Sequence, residues 1–232
     1  APLDQAGPDI AEPDGWTPVD PCTMASAVAV HASGPITLDG YGDEWSGACF
    51  LEVKTPQDWG DLGANHPSDF SSFAARFAIQ WQPDALVFWV EVTDDMNWND
   101  KSGSSIYDGD CLQVALDYGC SGGSEYTDGD FEFGWALTTG GQRTYRWYPG
   151  SESPPLGYLV RRDDGAQKTY YEVKLTSSDL NGRAFSETTD LCISVLVNEA
   201  DGGDRLGWLH WASGVAESGK QPGLFLPVLL AP

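Results

Sequence analysis

The stretch AARFAIQWQPDALVFWVEVTD, residues 74–94, decides the fold. Its second half alternates cleanly. Leu86, Phe88, Val90 and Val92 share one face, and Val87, Trp89, Glu91 and Thr93 share the other, the period of two that marks a strand. Pro83-Asp84 separates the two apolar runs, so residues 74–82 and 85–94 are predicted to form a hairpin. The pattern recurs outward from this point. DCLQVALDYG (110–119) turns Leu112, Val114 and Leu116 to one side, and FEFGWALTT (131–139), QRTYRWY (142–148), GYLVRR (157–162), TYYEVKL (169–175), LCISVLVN (191–198) and RLGWLHW (205–211) follow. MASAVAVHA (24–32) and CFLEVK (49–54) precede it, and GLFLPVLL (223–230) ends the series with Pro227 inside, which favours an edge or a bulge. Only SSDLNGRAF (177–185) reads as a helical turn. About a dozen short strands without repeats predict an all-β chain folded as an antiparallel β-sandwich.

Composition agrees and excludes several functions. The 232 residues carry 12 Lys+Arg against 35 Asp+Glu, a formal charge of −23, with 24 Asp and 11 Glu. Such a surface repels nucleic acid and anionic lipid. Asp suits turns and loop cation sites, whereas Glu suits helices. No apolar run approaches the ~20 residues of a membrane span. The chain is 41% hydrophobic with ten Trp, so a sizeable core is expected.

Cys22, Cys49, Cys111, Cys120 and Cys192 form no C-x-x-C pair, and three His accompany them, which argues against zinc. Two disulfides and one odd thiol in an extracellular or cell-surface protein are expected, with the pairing open. Cys111 and Cys120 end one strand roughly 30 Å apart at ~3.3 Å per residue, so they are not expected to pair. A start at Ala1 fits a processed, exported chain. Residues 1–24 hold five Pro and five acids and are expected to be an extended Pro/Asp-rich segment ahead of a sandwich domain at 25–232.

No Ser nucleophile elbow or Cys/His pair is present, so no catalytic residue is assigned and no enzyme is expected. The distinctive feature is aromatics set among Asp and Gly in loops. DDMNWNDKSGSSIYDGD (94–110) carries Trp98 and Tyr107, and SGGSEYTDGDFEFGW (121–135) adds Asp128 and Asp130. Loop aromatics stack on sugar rings, and loop carboxylates hold calcium.

ITLDGYGDEW, FAIQWQPDALVFWVEVTDD, YDGDCLQVALD, YTDGDFEFGWAL, TYYEVKLTSSDL and CISVLVNEADGGDRLGWLHW occur in an order that resembles family 9 carbohydrate-binding modules, over about residues 34–230. The resemblance implies a jelly-roll-like, non-catalytic, calcium-containing sandwich that holds a terminal sugar between two aromatic rings. Tyr107 matches the first ring. The second falls near Gly219, an acidic contact is replaced by Gln113, and a basic contact after Phe133 by Gly134. Trp98, Trp147 and Trp208 are the rings available for another platform. The expected carbohydrate contacts are therefore Tyr107, Trp98, Gln113 and Trp147, and the expected calcium ligands Asp108, Asp110, Asp128 and Asp130.

The function expected is a secreted, calcium-stabilised carbohydrate-binding module with an altered sugar site, its partner a polysaccharide or glycan. The alternative is a structural subunit of an extracellular or cell-surface assembly, such as a filament, in which copies meet through residues 1–24.

Overall fold

The computed structural model describes residues 20–23, 27–55, 58–60, 72–150, 155–216 and 219–232. Among these, the strands form two seven-stranded sheets. The first contains β1 (Val28–His31), β2 (Leu51–Val53), β4 (Phe73–Gln82), β5 (Ala85–Asp94), β9 (Tyr158–Asp163), β10 (Lys168–Thr176) and β14 (Leu229–Ala231). The second contains β3 (Trp59–Gly60), β6 (Cys111–Tyr118), β7 (Asp130–Thr138), β8 (Gly141–Tyr148), β11 (Leu191–Glu199), β12 (Gly207–Trp211) and β13 (Leu226–Pro227). Their orders are β14-β1-β4-β5-β10-β9, with β2 also on β4, and β3-β12-β11-β6-β7-β8, with β13 also on β11.

The β4–β5 hairpin runs unbroken from Phe73↔Asp94 to Gln82↔Ala85, closed by the two residues Pro83 and Asp84. Antiparallel pairing prevails throughout the sandwich, but β1 lies parallel to both β4 and β14. The C-terminal run is not one broken strand. β13 pairs with β11 in the second sheet, Val228 donates its N–H to Leu191 O, and β14 then joins β1 in the first sheet. Pro227, with no N–H to give, sits at this crossover. Residues 177–182 form turns, with Leu180 N donating to Thr176 O and Ser177 O.

Phe77, Phe88, Val90, Leu112, Val114, Phe131, Phe133, Tyr171, Ile193 and Val195 meet between the sheets as one apolar core. The opposite face of β5 is also covered. Ile36, Leu38, Trp45 and Ala48 fold over it and bury Ala78, Val87 and Trp89. Glu172 of β10 fixes this cover. Its Oε2 accepts the N–H groups of Asp39 and Gly40 at 2.7 Å each, and its Oε1 accepts Trp45 Nε1–H at 3.0 Å.

Disulfides join Cys22 to Cys49 and Cys120 to Cys192, and Cys111 is a buried free thiol. The second bridge ties β11 to the loop after β6. The first ties the end of the Pro/Asp-rich segment to the body. The rest of that segment, residues 1–19, its boundary at 24–26, and the loop holding His66 lie outside the described residues. No described helix is long and apolar enough to cross a membrane.

Candidate saccharide cleft

Outward-facing residues of the second sheet build a cleft of about 340 Å³. Alternation places Leu112 and Phe133 inward and leaves Gln113 on β6 and Glu132 on β7 outward. Gly134 stands opposite Gln113 in the ladder. A Cβ at Gly134 would lie 2.4 Å from Trp147 Cζ3 and 2.6 Å from its Cη2. The glycine therefore exists to let the Trp147 indole of β8 lie across β7. Trp147 Nε1–H donates to Ser104 O at 3.0 Å, which joins the ring to the 3-10 turn Gly103–Asp108 that carries Tyr107. The Tyr107 and Trp147 rings meet edge to face, with centroids 6.3 Å apart. Tyr107 keeps much of its ring exposed.

Polar groups form the floor. Gln113 Nε2–H donates to Glu132 Oε1 at 3.0 Å, Lys220 Nζ to the same oxygen at 2.7 Å, and Tyr126 OH to Glu132 Oε2 at 2.9 Å. Asn198 of β11 donates to Gln113 Oε1 at 2.8 Å and accepts from Arg205 NH1 at 3.1 Å. The Arg205 guanidinium lies 5.2 Å from the Tyr107 ring centroid and 4.8 Å from that of Trp208. Burial lowers its pKa, partly opposed by Tyr107 and Asp108. The amide at position 113 has a physical reason: a carboxylate there would face Glu132 as a like charge, whereas an amide bridges Glu132 to Asn198. Two oriented aromatics above fixed donors and acceptors can hold a sugar, with C–H faces on the rings and hydroxyls on the floor.

Of the expected contacts, Tyr107, Gln113 and Trp147 share this cleft and Trp98 does not line it. Trp98 is held elsewhere: its backbone N–H donates to Asp110 Oδ2 and its carbonyl accepts Asp110 N–H. Glu132, Arg205, Asn198 and Lys220 were not singled out by sequence. Lys220 carried one available signal, being one of five lysines and lying beside Gly219, where the second ring was sought.

No three of Asp108, Asp110, Asp128 and Asp130 come within ligating reach of one another among the described residues. Asp108 Oδ1 accepts Arg205 N–H at 3.3 Å at the cleft. Asp128 is exposed beside Arg183, and Asp130 Oδ2 accepts from Thr127. The strand alternation and turns that space these aspartates in sequence aim them at separate places.

A different acidic group forms where β5, β11 and the loop after β11 meet. Carboxylate oxygens of Asp94, Glu199 and Asp201 lie within 4.8 Å of one another. Asp110 adjoins it, with Oδ1 accepting Ala200 N–H at 2.8 Å. Burial, with Asp201 and Asp95 nearby, pushes Asp94 up to about 7 against its backbone bond from Met96 and the charge of Arg162. Burial, Asp94 and Asp110 push Glu199 up to about 10, and burial and Asp94 raise Asp110. Glu199 Oε2 is buried with no hydrogen-bond partner. Hard, crowded, under-partnered oxygens fit a calcium ion. The other acidic group, Asp39, Glu44 and Glu172, differs because Glu172 is taken up by N–H donors.

The sequence profile of the carbohydrate family 9 binding domain-like family matches residues 38–226. Among solved structures, a family 9 carbohydrate-binding module from Caldicellulosiruptor kristjanssonii in complex with cellotriose is similar at a TM-score of 0.62 and 17% identity, covering 88% of this chain and 93% of that one. The same organism's module in complex with glucose matches at 0.62 and 17%, covering 87% and 94%. No curated protein matches the sequence.

Proposed function

The chain belongs to the carbohydrate family 9 binding domain-like family, and from that premise we propose that it is a secreted, non-catalytic module that binds saccharide chains in the cleft of Tyr107 and Trp147. The observation that carries this reading is the edge-to-face pair of rings above the Glu132–Gln113–Asn198–Arg205 network. Tyr107 offers a ring face, and Lys220 and Arg205 offer charged partners to neighbouring hydroxyls. The cellotriose and glucose held by the similar modules motivate a glucan as the first ligand to test. Two disulfides support an extracellular setting.

Calcium at Asp94, Glu199 and Asp201, with Asp110 behind them, is part of the same proposal. The partnerless Glu199 Oε2 supports it. Bound there, calcium would neutralise the buried carboxylates and join β5 to the loop after β11.

Calorimetric titration with glucose and cellotriose in calcium tests the saccharide reading. Tyr107→Ala and Trp147→Ala should each weaken binding about tenfold, one ring contact being worth ~1 kcal/mol or more. No binding of any polysaccharide in calcium would end it. The second reading is a subunit of an extracellular assembly. The composition of residues 1–24 motivates it, whereas the Cys22–Cys49 bridge ties the end of that segment to its own body. A monodisperse monomer at high concentration, unchanged when residues 1–19 are removed, would end that one.

A further inference from the structure

We propose a second saccharide site on the outer face of the first sheet, independent of the Tyr107 cleft. An open cavity of about 500 Å³ lies there between the cover segment and strands β4, β5, β9 and β10. Its walls are two aromatic–guanidinium stacks. Arg161 lies 4.6 Å from the Tyr41 ring centroid and 4.2 Å from that of Tyr170. Arg76 lies 5.2 Å from the Phe50 centroid and 5.5 Å from that of Trp89. Tyr41 is 56% exposed and Phe50 39% exposed, so two large aromatic side chains reach solvent at one cleft.

The rim is held in place from several sides. Gly40 has φ +78, and a Cβ there would meet Leu159 Cδ2 at 2.8 Å, so the backbone sits flush on β9. Arg161 Nε–H and NH2 donate to Gly40 O at 3.0 and 2.9 Å, and Glu172 holds the Asp39 and Gly40 N–H groups. A rigid rim lowers the ordering cost of binding.

The wall itself holds polar groups that the fold leaves unpaired. Trp89, only 3% exposed and lining the wall beside Gly42, has an Nε1–H with no acceptor in the fold. Arg76 Nε on the same wall is also buried without a partner. The Arg76 and Arg161 guanidinium groups beside the exposed Tyr41 and Phe50 side chains suit a ligand with acceptor oxygens on the edge of a C–H-rich ring, the chemistry of a pyranose. Asp43 and Ser46 supply acceptors across the opening. Glu91 is already balanced by Arg76 and Lys168: burial would raise its carboxyl, yet these two partners bring it below its ordinary value.

The test uses the full chain, labelled with nitrogen-15, and follows indole N–H resonances identified with Trp89→Phe and Trp147→Phe. Cellotriose, xylotriose, laminaritriose and mannotriose are each added to about 10 mM, enough to fill most of a millimolar site. The expected result is a saturable Trp89 shift with at least one of them. It should persist in Tyr107→Ala and weaken roughly fivefold to tenfold in Tyr41→Ala and in Phe50→Ala, each checked for a native spectrum. A Trp89 resonance unmoved by all four overturns the proposal whatever Trp147 does, and the Trp147 response separately decides the first cleft. A Trp89 shift lost in Tyr107→Ala also overturns it. So does a dimer that Tyr41→Ala dissolves while no saccharide moves Trp89, because the rings then serve contact between copies.

Discussion

The position that most sharply shapes the first cleft is the smallest residue in it. Gly134 occupies the place where the family resemblance calls for a basic contact, and the missing side chain is what lets Trp147 lie flat across β7. A Cβ at 2.4 Å from the indole cannot be absorbed by a small adjustment, since Leu112 O is also only 3.2 Å away. Gly134→Ala should therefore lift Trp147, break its bond to Ser104 O and cost roughly 1–3 kcal/mol in overpacking. Cellotriose affinity should fall by about tenfold, as for loss of the ring itself. Urea denaturation and titration of the same sample check both effects, and wild-type affinity in this variant would show that Trp147 is not a contact. From sequence alone Gly134 reads only as a lost basic contact. Steric reciprocity between residues 13 apart on adjacent strands is visible once the β7–β8 register is known.

Among the elements, the cover segment 36–48 departs most from the two-faced alternation of β5. The pattern that predicts the hairpin correctly also sets Val87 and Trp89 on the face opposite Leu86 and Phe88, and the fold buries both beneath Trp45 and Leu38. Alternation gives strand direction and period, but it cannot say that a distant loop roofs one face. Much of the sandwich was legible for the same reason that it is robust: long strands with period two and two-residue turns are local signals. The parallel insertion of β1 between β4 and β14, and the crossing of the C-terminal run from one sheet to the other at Val228, depend on partners far apart in sequence. The roof depends on Glu172, whose two oxygens accept three N–H groups. Glu172→Ala should leave those donors buried without acceptors and destabilise the fold by about 3 kcal/mol. Chemical denaturation measures that loss. A further readout separates a local from a global effect: the Trp45 indole N–H, which Glu172 holds, should exchange with solvent faster in the variant under native conditions. A change below ~1 kcal/mol would mean that the apolar contacts of Trp45 hold the roof without the carboxylate.

At the scale of the whole molecule, the charge of −23 matters less as a sum than in where its least compensated part is buried. Asp94, Asp110 and Glu199 are almost inaccessible and face one another with Asp201. In metal-free protein, folding raises Asp94 from 3.8 to about 7 and Glu199 from 4.5 to about 10, so between these limits the native state holds more protons than the unfolded chain. Stability then falls as pH rises, by about 1.4 kcal/mol per pH unit for each extra proton held. The fall begins above pH 4, continues to about 7 for Asp94, and extends beyond that for Glu199. A calcium ion reverses the sign, because it binds the ionised carboxylates and competes with the protons. With calcium near one hundred times its dissociation constant, Tm should rise by roughly 5–10 °C at pH 8. In excess chelator, Tm should instead decline from pH 5 to pH 8. Glu199→Gln separates this from general screening of surface charge. The neutral amide should raise Tm in chelator, where the wild-type must hold a proton, and lower it relative to wild-type in calcium, where a ligand is lost. Thermal unfolding of both proteins in the two buffers gives four numbers. If chelator leaves the wild-type curve unchanged and Glu199→Gln has the same sign in both buffers, the buried carboxylates are satisfied by protons alone, and calcium has no part in holding β5 to the loop after β11.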